Sequence, residues 1–180
     1  NNMFSTVKLL DVQYIKDHTE IQQLVDEQVL NNYILPSQDL YIKPILGTQL
    51  YDQLVSAYTA NGNTDSITGL TSGLTYDYQI LLDQVRPVLA YYTYWQSYSK
   101  LVFKVTKIGV EKRMGDNLNP IDDNTIFKMK KEILEYTKSI ALILEDFVKD
   151  NKANYGITDE TNTKIKAGIN GFYFGNGKSC

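Results

Sequence analysis

The chain of 180 residues has the length of one globular domain, and its 43% apolar and 22% charged residues are close to the average for folded proteins, which excludes wholesale disorder. The formal net charge of −3 disfavours a domain that binds nucleic acid over its whole surface, because such domains are usually strongly basic. No apolar run approaches the roughly 20 residues that span a bilayer, and the single cysteine, Cys180, excludes a disulfide within the chain.

The first third of the chain predicts short helices. Residues 4–14 form a mixed segment that fits a strand or an arm. The first clear helical pattern begins at Thr19, a suitable N-cap residue, and ends near Pro36. Ser37 is predicted to cap a short second helix. A third helix is predicted from Thr48, with one apolar face made by Leu50, Tyr51, Leu54, Val55 and Tyr58.

The rest of the chain predicts two long helices. Thr75 opens the first, whose apolar stripe continues past Pro87. An interior proline predicts a kink there, or alternatively two helices that meet at that point. Asp122 or Asp123 caps the second helix. Its apolar residues repeat at steps of three and four, which predicts a packing face held over three heptads and made by Ile126, Met129, Ile133, Tyr136, Ile140, Ile143 and Phe147.

Two segments have a different character. Residues 102–120 contain β-branched residues and glycines between the long helices, which predicts a β-hairpin or an extended loop. Residues 151–180 are too polar to bury a core of their own, which predicts an extended tail that a partner orders. The sequence therefore predicts a mainly α protein: a small helical bundle over residues 1–150, with an arm near 102–120 and a tail over 151–180.

Motifs for catalysis and for phosphate or metal binding are missing from the sequence. His18, beside Asp17, fits a surface or capping histidine, and the neighbouring Asp122 and Asp123 fit helix caps better than a metal pair. We therefore expect neither an enzyme nor a cofactor or metal site.

Aromatic residues mark two candidate protein interfaces. Tyr91, Tyr94 and Tyr98 place rings on several sides of one long helix, a pattern that fits either the chain's own core or contact with a second subunit. Phe172, Tyr173 and Phe174 lie between two glycines in the polar tail. They fit either a short adhesive strand or an unbound chain end.

Residues 100–113 carry the clearest charge asymmetry. Five cations against one anion, Glu111, give +4 over 14 residues. We name the five cations the basic strip: Lys100, Lys104, Lys107, Lys112 and Arg113. The strip fits contact with phosphates or with an acidic partner, or a solvated edge that discourages aggregation between strands.

The order of these parts resembles a known family. Residues 34–54 read ILPSQDLYIKPILGTQLYDQL, and residues 105–120 read VTKIGVEKRMGDNLNP between the two long helices. The short helix, the Leu46-Gly47 break, the Leu50-Tyr51 pair and the loop between long helices resemble the head–tail connector (adaptor) proteins of tailed bacteriophages. The similarity covers about residues 19–148 and is greatest to connectors of phages that infect Bacteroidetes-type bacteria.

The resemblance implies a structural protein of the virion, assembled in the host bacterial cytoplasm. Connectors of this kind form homo-oligomeric rings, typically of twelve subunits, below the portal protein, where they extend the DNA channel and dock the next ring or a tail protein. DNA would pass through such a ring without specific binding, and no membrane is involved. The alternative is a monomeric helical module that binds other proteins and has no role in a virion.

Overall fold

A computed structural model of the chain describes residues 6–21, 25–60, 62, 76–106, 109–112 and 123–157, and of residues 76, 77, 103–106 and 109–112 it describes the backbone alone. The helices are α1 (Val12–His18), α2 (Glu27–Ser37), α3 (Lys43–Leu46), α4 (Thr48–Ala60), α5 (Tyr76–Val102) and α6 (Asp123–Asn151). A π-helical turn, Gln38–Ile42, joins α2 to α3, and a 3₁₀ turn, Lys152–Tyr155, follows α6. The predicted mainly helical class is confirmed.

Helix α5 is the centre of the bundle. It contacts α1, α2, α4, α6 and the π-helical turn, and its buried residues include Leu81, Leu82, Val85 and Leu89. The helix continues without a break through Pro87, so the alternative of two separate helices is wrong. Proline removes one backbone hydrogen bond, but burial of the residues on both sides holds the two halves in one helix.

The boundaries of α1 and α2 differ from those of the helix that the sequence predicts from Thr19. The Asp11 carboxylate caps α1 by accepting a hydrogen bond from the Tyr14 amide at 2.7 Å. The Asp26 carboxylate caps α2 in the same way, through the Gln28 amide at 3.1 Å. Thr19 follows the last residue of α1, so its assignment as an N-cap is wrong. Two aspartates, both strong N-cap residues, start the helices instead.

Helix α2 continues past its predicted end. Pro36 lies inside its last turn, and the chain enters the π-helical turn directly after it. Ser37 makes no cap hydrogen bond; it is buried, and its hydroxyl donates to Gln96 Oε1 at 2.9 Å. The predicted stop at Pro36 and cap at Ser37 are therefore wrong, because tertiary contact with α5 decides the path of the backbone. Gly47, at φ 76°, ends α3, and α4 begins at Thr48 as predicted.

A buried glutamine fastens the N-terminal segment to the bundle. The Leu9 amide donates to Gln38 Oε1 at 3.0 Å, and Gln38 Nε2 donates to the Val7 carbonyl at 2.9 Å and to the Tyr51 hydroxyl at 2.7 Å. Arg86 Nε donates to the Leu9 carbonyl at 2.9 Å. Because buried backbone groups need partners, these two side chains hold residues 7–9 in the way a neighbouring strand would.

Helix α6 turns a different face to the core than its heptad pattern predicts. Its buried residues are Ile126, Ile133, Thr137, Ala141, Leu144 and Val148. Of the predicted packing face, Ile126 and Ile133 are buried and Ile140 and Phe147 are half-buried, whereas Met129, Tyr136 and Ile143 are exposed. The prediction is wrong for these three residues. The small side chains of Thr137 and Ala141 allow close approach to the bundle, and this turns the heptad stripe partly to solvent.

The two segments of different character are described in part. Strands β1 (Phe103–Thr106) and β2 (Gly109–Lys112) pair antiparallel, with Val105 opposite Val110. Residues 107–108 and 113–122 of the predicted arm lie outside the described residues. At the other end, the chain packs on the core as far as Tyr155 and Ile157, which are both buried. Of the predicted tail, residues 158–180 lie outside the described residues.

Candidate interaction surface

Three exposed apolar residues form a line along α6. Met129, Tyr136 and Ile143 are spaced seven residues apart and are 41%, 51% and 63% exposed. At 1.5 Å per helical residue the line is about 21 Å long. We call these three residues the α6 strip. Apolar side chains that are exposed together, rather than singly, indicate a contact surface.

The predicted interface tyrosines of α5 lie directly beside the α6 strip. The rings of Tyr91 and Tyr136 are 4.6 Å apart between centroids and are tilted by 55°. The Tyr98 hydroxyl lies 3.5 Å from the Met129 sulfur, and the rings of Tyr94 and Tyr98 meet edge-on at 5.9 Å. The structure therefore brings a row of tyrosines on α5 together with the α6 strip.

The tyrosine row is mostly core. Tyr94 and Tyr98 are only 7% and 6% exposed, whereas Tyr91 is half-buried. The core interpretation of the aromatic cluster therefore applies to Tyr94 and Tyr98, which pack inside the chain next to the α6 strip, whereas contact of Tyr91 with a second subunit stays a prediction. Tyr91 remains accessible beside Tyr136, and we count it with the α6 strip as the candidate interaction surface.

Burial favours the neutral form of the Tyr91 and Tyr94 hydroxyls by raising the pKa of both groups. Burial raises the pKa of Tyr94 to about 12, with smaller contributions from Tyr98 and from the negative charge of Glu20. Burial also raises the pKa of Tyr91, and Tyr136 and Glu20 add to the shift. At the candidate surface, the Tyr91 hydroxyl is therefore neutral and able to form hydrogen bonds.

Charged side chains line the far side of α6. They form three spaced ion pairs, Lys128–Glu132 at 3.9 Å, Lys138–Glu135 at 3.2 Å and Lys149–Asp146 at 2.9 Å. Exposed pairs of this kind add little to stability, and they mark the solvated face of the helix. The α6 strip lies at the boundary between this solvated face and the buried face of α6. A neighbouring protein can contact it there without displacing the core.

Of the other aromatic residues of α5, Tyr92 is buried in the core and Trp95 is half-buried against it. Tyr41 stacks on Tyr92 with centroids 4.2 Å apart and an angle of 6°. Lys130 Nζ donates to Ser99 Oγ at 2.8 Å and lies 5.7 Å from the Trp95 ring, and burial lowers the pKa of Lys130. These contacts join α5 to α6 and to the π-helical turn.

The basic strip is described only in part. Lys100 is exposed in the last turn of α5. Lys104 and Lys112 lie on the paired strands, where the register places Lys104 opposite Glu111. Lys107 and Arg113 lie outside the described residues, as do Phe172, Tyr173 and Phe174. Contact of the basic strip with phosphates or an acidic partner, and the alternative of a solvated edge, therefore both stay predictions.

Sequence reasoning missed the α6 strip because it assigned all three residues to the core. A signal was present, since α6 also carries Ala141, Leu144 and Val148 next to the heptad residues. Together the two sets make an apolar arc wider than one neighbouring helix covers. An arc of that width predicts a second contact on one of its edges.

The described residues were also compared with the requirements of a histidine site, a metal site and a membrane-spanning helix. His18 is exposed, and its Nδ1 lies 2.9 Å from the Tyr14 carbonyl, in keeping with a helix-end histidine. Within the described ranges, no three His, Cys, Asp or Glu side chains are grouped to hold a metal ion. Where the helices are described, none is both long and apolar enough to cross a bilayer.

Comparison with known proteins gives a family. No curated protein and no solved structure matches the chain. A family model described as a family of unknown function matches residues 42–166, which is more than half of the chain and includes α4, α5, α6 and the whole candidate interaction surface. The chain therefore belongs to the DUF6712 family.

Proposed function

We propose that this protein is a structural protein of a tailed-phage virion, a head–tail connector that forms a homo-oligomeric ring below the portal. It extends the DNA channel and docks the tail or the next ring. The observation that carries the proposal is the α6 strip beside Tyr91: a folded helical domain that leaves an aligned apolar surface uncovered. The resemblance of residues 19–148 to phage connectors supplies the kind of assembly.

A ring requires two different faces on each subunit, because each copy meets the next one head to tail. The α6 strip supplies one of them. Its exposed fractions correspond to about 300 Å², if a fully exposed side chain of this size offers about 200 Å². Stable interfaces bury about 800 Å² per partner. The arm near residues 102–120 and the tail after Ile157 would supply the remaining contact area in the ring.

The charge distribution suits a channel that lets DNA slide. The net charge is −3, and the solvated face of α6 alternates cations and anions in ion pairs. Cations that are held in ion pairs are less available to neutralise phosphates, and such neutralisation is the main source of nonspecific DNA affinity. The basic strip differs from the α6 face in its excess of positive charge. We propose that it contacts phosphates or an acidic neighbour during assembly.

The test of the ring is assembly on a portal. The purified protein is mixed with the portal protein of a phage that encodes it, and the product is weighed in solution and imaged by electron microscopy. The ring proposal expects a complex with many copies, typically twelve, even if the free protein is monomeric. A protein that stays monomeric beside the portal would instead favour a helical protein-binding module.

A matched pair of variants tests the role of the α6 strip. Ile143→Asp places a charge on the strip, whereas Ser139→Asp places the same charge on an exposed position of α6 outside it. Both variants should fold, because both positions are exposed. Assembly is expected to fail for Ile143→Asp and to persist for Ser139→Asp; equal assembly of the two would remove the strip from the interface.

Truncation tests the tail. Deleting residues 158–180 leaves Tyr155 and Ile157 in the core, so the helical domain is expected to keep its melting temperature. Docking on the portal should be lost if a partner orders the tail. A truncated chain that builds complete particles would contradict this part of the proposal.

A further inference from the structure

The chain before α1 is extended, and the bundle bonds one of its two edges. Gln38 accepts a hydrogen bond from the Leu9 amide and donates one to the Val7 carbonyl. Arg86 donates to the Leu9 carbonyl. In an extended chain the amide and the carbonyl of one residue point to the same side, and those of the next residue point to the opposite side. The amide and the carbonyl of Lys8 therefore point away from Gln38 and Arg86.

The second edge of this segment has no partner inside the subunit. Neither the amide nor the carbonyl of Lys8 is hydrogen-bonded within the described part of the chain, and Lys8 is half-buried rather than enclosed. We call the backbone of Lys8 the free edge. An unpaired edge of this kind is a template on which another extended segment adds as a further strand.

A groove beside the free edge provides room for such a strand. Its volume is about 770 Å³, which is in the range of sites that enclose a ligand. One wall includes Thr6 and Lys8, and the opposite wall includes Glu27 and Gln28 in the first turn of α2. The carboxylates of Asp11 and Glu27 line the groove against a single cation, that of Lys8.

Opposite charges point to the segment that the groove accepts. Residues 6–32, which contribute most of the groove lining, carry five carboxylates against two lysines, a net charge of −3. Residues 100–113, which include the hairpin β1–β2, carry a net charge of +4. Complementary charges of this kind select the partner and speed the encounter.

The hairpin β1–β2 has the matching backbone. The described sheet consists of these two strands, so in the described part of the chain each strand has one edge without a strand beside it. The hairpin follows directly from the end of α5 at Val102. Its strands pair with each other and not with the free edge of their own chain, so another copy is the source of a hairpin for that edge.

We infer that the hairpin β1–β2 of one copy docks along the free edge of the next copy in the ring. The inference rests on the proposed ring, and it names the acidic neighbour of the basic strip. The contact is heterologous, because the hairpin and the free edge are different parts of the subunit. Backbone hydrogen bonds hold the added strand, whereas the opposite net charges fix which segments meet.

A proline at the free edge tests the backbone contact. Lys8→Pro removes the amide that the added strand bonds, whereas Lys8→Ala removes the same side-chain charge and keeps the amide. Both variants should fold, because that amide has no partner inside the described subunit. Assembly on the portal is expected to fail for Lys8→Pro and to persist for Lys8→Ala. Equal assembly of the two variants would overturn the inference.

Hydrogen exchange tests the same contact without a substitution. The Lys8 amide should exchange rapidly in the free subunit and slowly in the assembled ring, because it is then bonded to the added strand. The Leu9 amide, which is bonded to Gln38, is the internal reference and should be protected in both states. Rapid exchange of the Lys8 amide in a complete ring would contradict strand addition while leaving the ring itself in place.

Charge changes in the groove identify the occupant. Gln28 lines the groove at an exposed position of α2. Gln28→Glu should strengthen assembly by up to about fivefold, the upper range for exposed ion pairs, and Gln28→Lys should weaken it by a similar factor. The same charges at Ser139, an exposed position of α6, should leave assembly unchanged.

Combination with changes in the hairpin completes the test. Both effects of Gln28 should become smaller when serine replaces Lys104, Lys107 and Lys112, since two sites in contact are energetically coupled. Effects of undiminished size in a ring that still forms would assign the groove to another partner and overturn the inference. Absence of a ring in every sample, including the unchanged protein, would instead refute the proposed function.

Discussion

Two neighbouring residues of α6 test which face of that helix belongs to the core. Leu144 is 1% exposed, whereas Ile143 is 63% exposed. Leu144→Ala is expected to lower the free energy of unfolding by about 2–5 kcal/mol, the range found for buried leucines. Ile143→Ala is expected to change it by less than about 0.5 kcal/mol, as for most exposed positions.

The magnitudes follow from the burial of each side chain. Leu144→Ala removes three carbon groups from the core, which costs about 2.4 kcal/mol at about 0.8 kcal/mol per group, and the cavity left behind adds to that cost. Most of the Ile143 side chain is in water in both the folded and the unfolded state, so its removal transfers little apolar area. Alanine also has the higher helix propensity, which offsets part of any loss.

The assay is urea unfolding of both variants, followed by the helical circular dichroism signal. The transition of Leu144→Ala should move to lower urea with an unchanged slope, which identifies a change in stability alone. Its melting temperature should fall by about 4–20 °C, at about 2–4 °C per kcal/mol. Equal losses in the two variants would mean that α6 buries the predicted heptad face, and the α6 strip would then be core.

Three further predictions concern other parts of the molecule. Gln38→Ala should lower the free energy of unfolding by about 1–3 kcal/mol, because the buried Leu9 amide loses its hydrogen-bond partner. Hydrogen exchange of the Leu9 amide should become faster, and unchanged exchange would contradict this role of Gln38. Burial raises the pKa of Tyr92 and Tyr94 to about 12, whereas unfolded tyrosines ionise near 10. The folded state therefore keeps protons that the unfolded state loses, so urea midpoints should be steady below about pH 10 and fall between about pH 10 and 12; a flat profile would refute the burial of these hydroxyls. Replacement of Lys104, Lys107 and Lys112 by serine should weaken assembly and make it less dependent on salt, without a change in melting temperature. If the variant and the unchanged protein assemble equally well at low and at high salt, the basic strip is a solvated edge.

The sequence determined the class of the fold and where its longer helices begin. The apolar periodicity of α4, α5 and α6 is visible along the chain, and their starts lie at or within one residue of the predicted ones. Helical periodicity is a local property, since residues three and four apart share a face whatever packs against it. The tyrosines of α5 could be named as candidates for contact for the same reason.

Tertiary packing decided which faces and which caps are used. The pattern of α6 contains two overlapping apolar stripes, and the small Thr137 and Ala141 at the contact selected the one that is buried. The same contact left Met129, Tyr136 and Ile143 exposed, and the bundle buried Tyr94 and Tyr98 while it left Tyr91 accessible. A sequence records that a residue is apolar, but only the shape of its neighbours decides whether that residue is covered by its own chain or remains open to another.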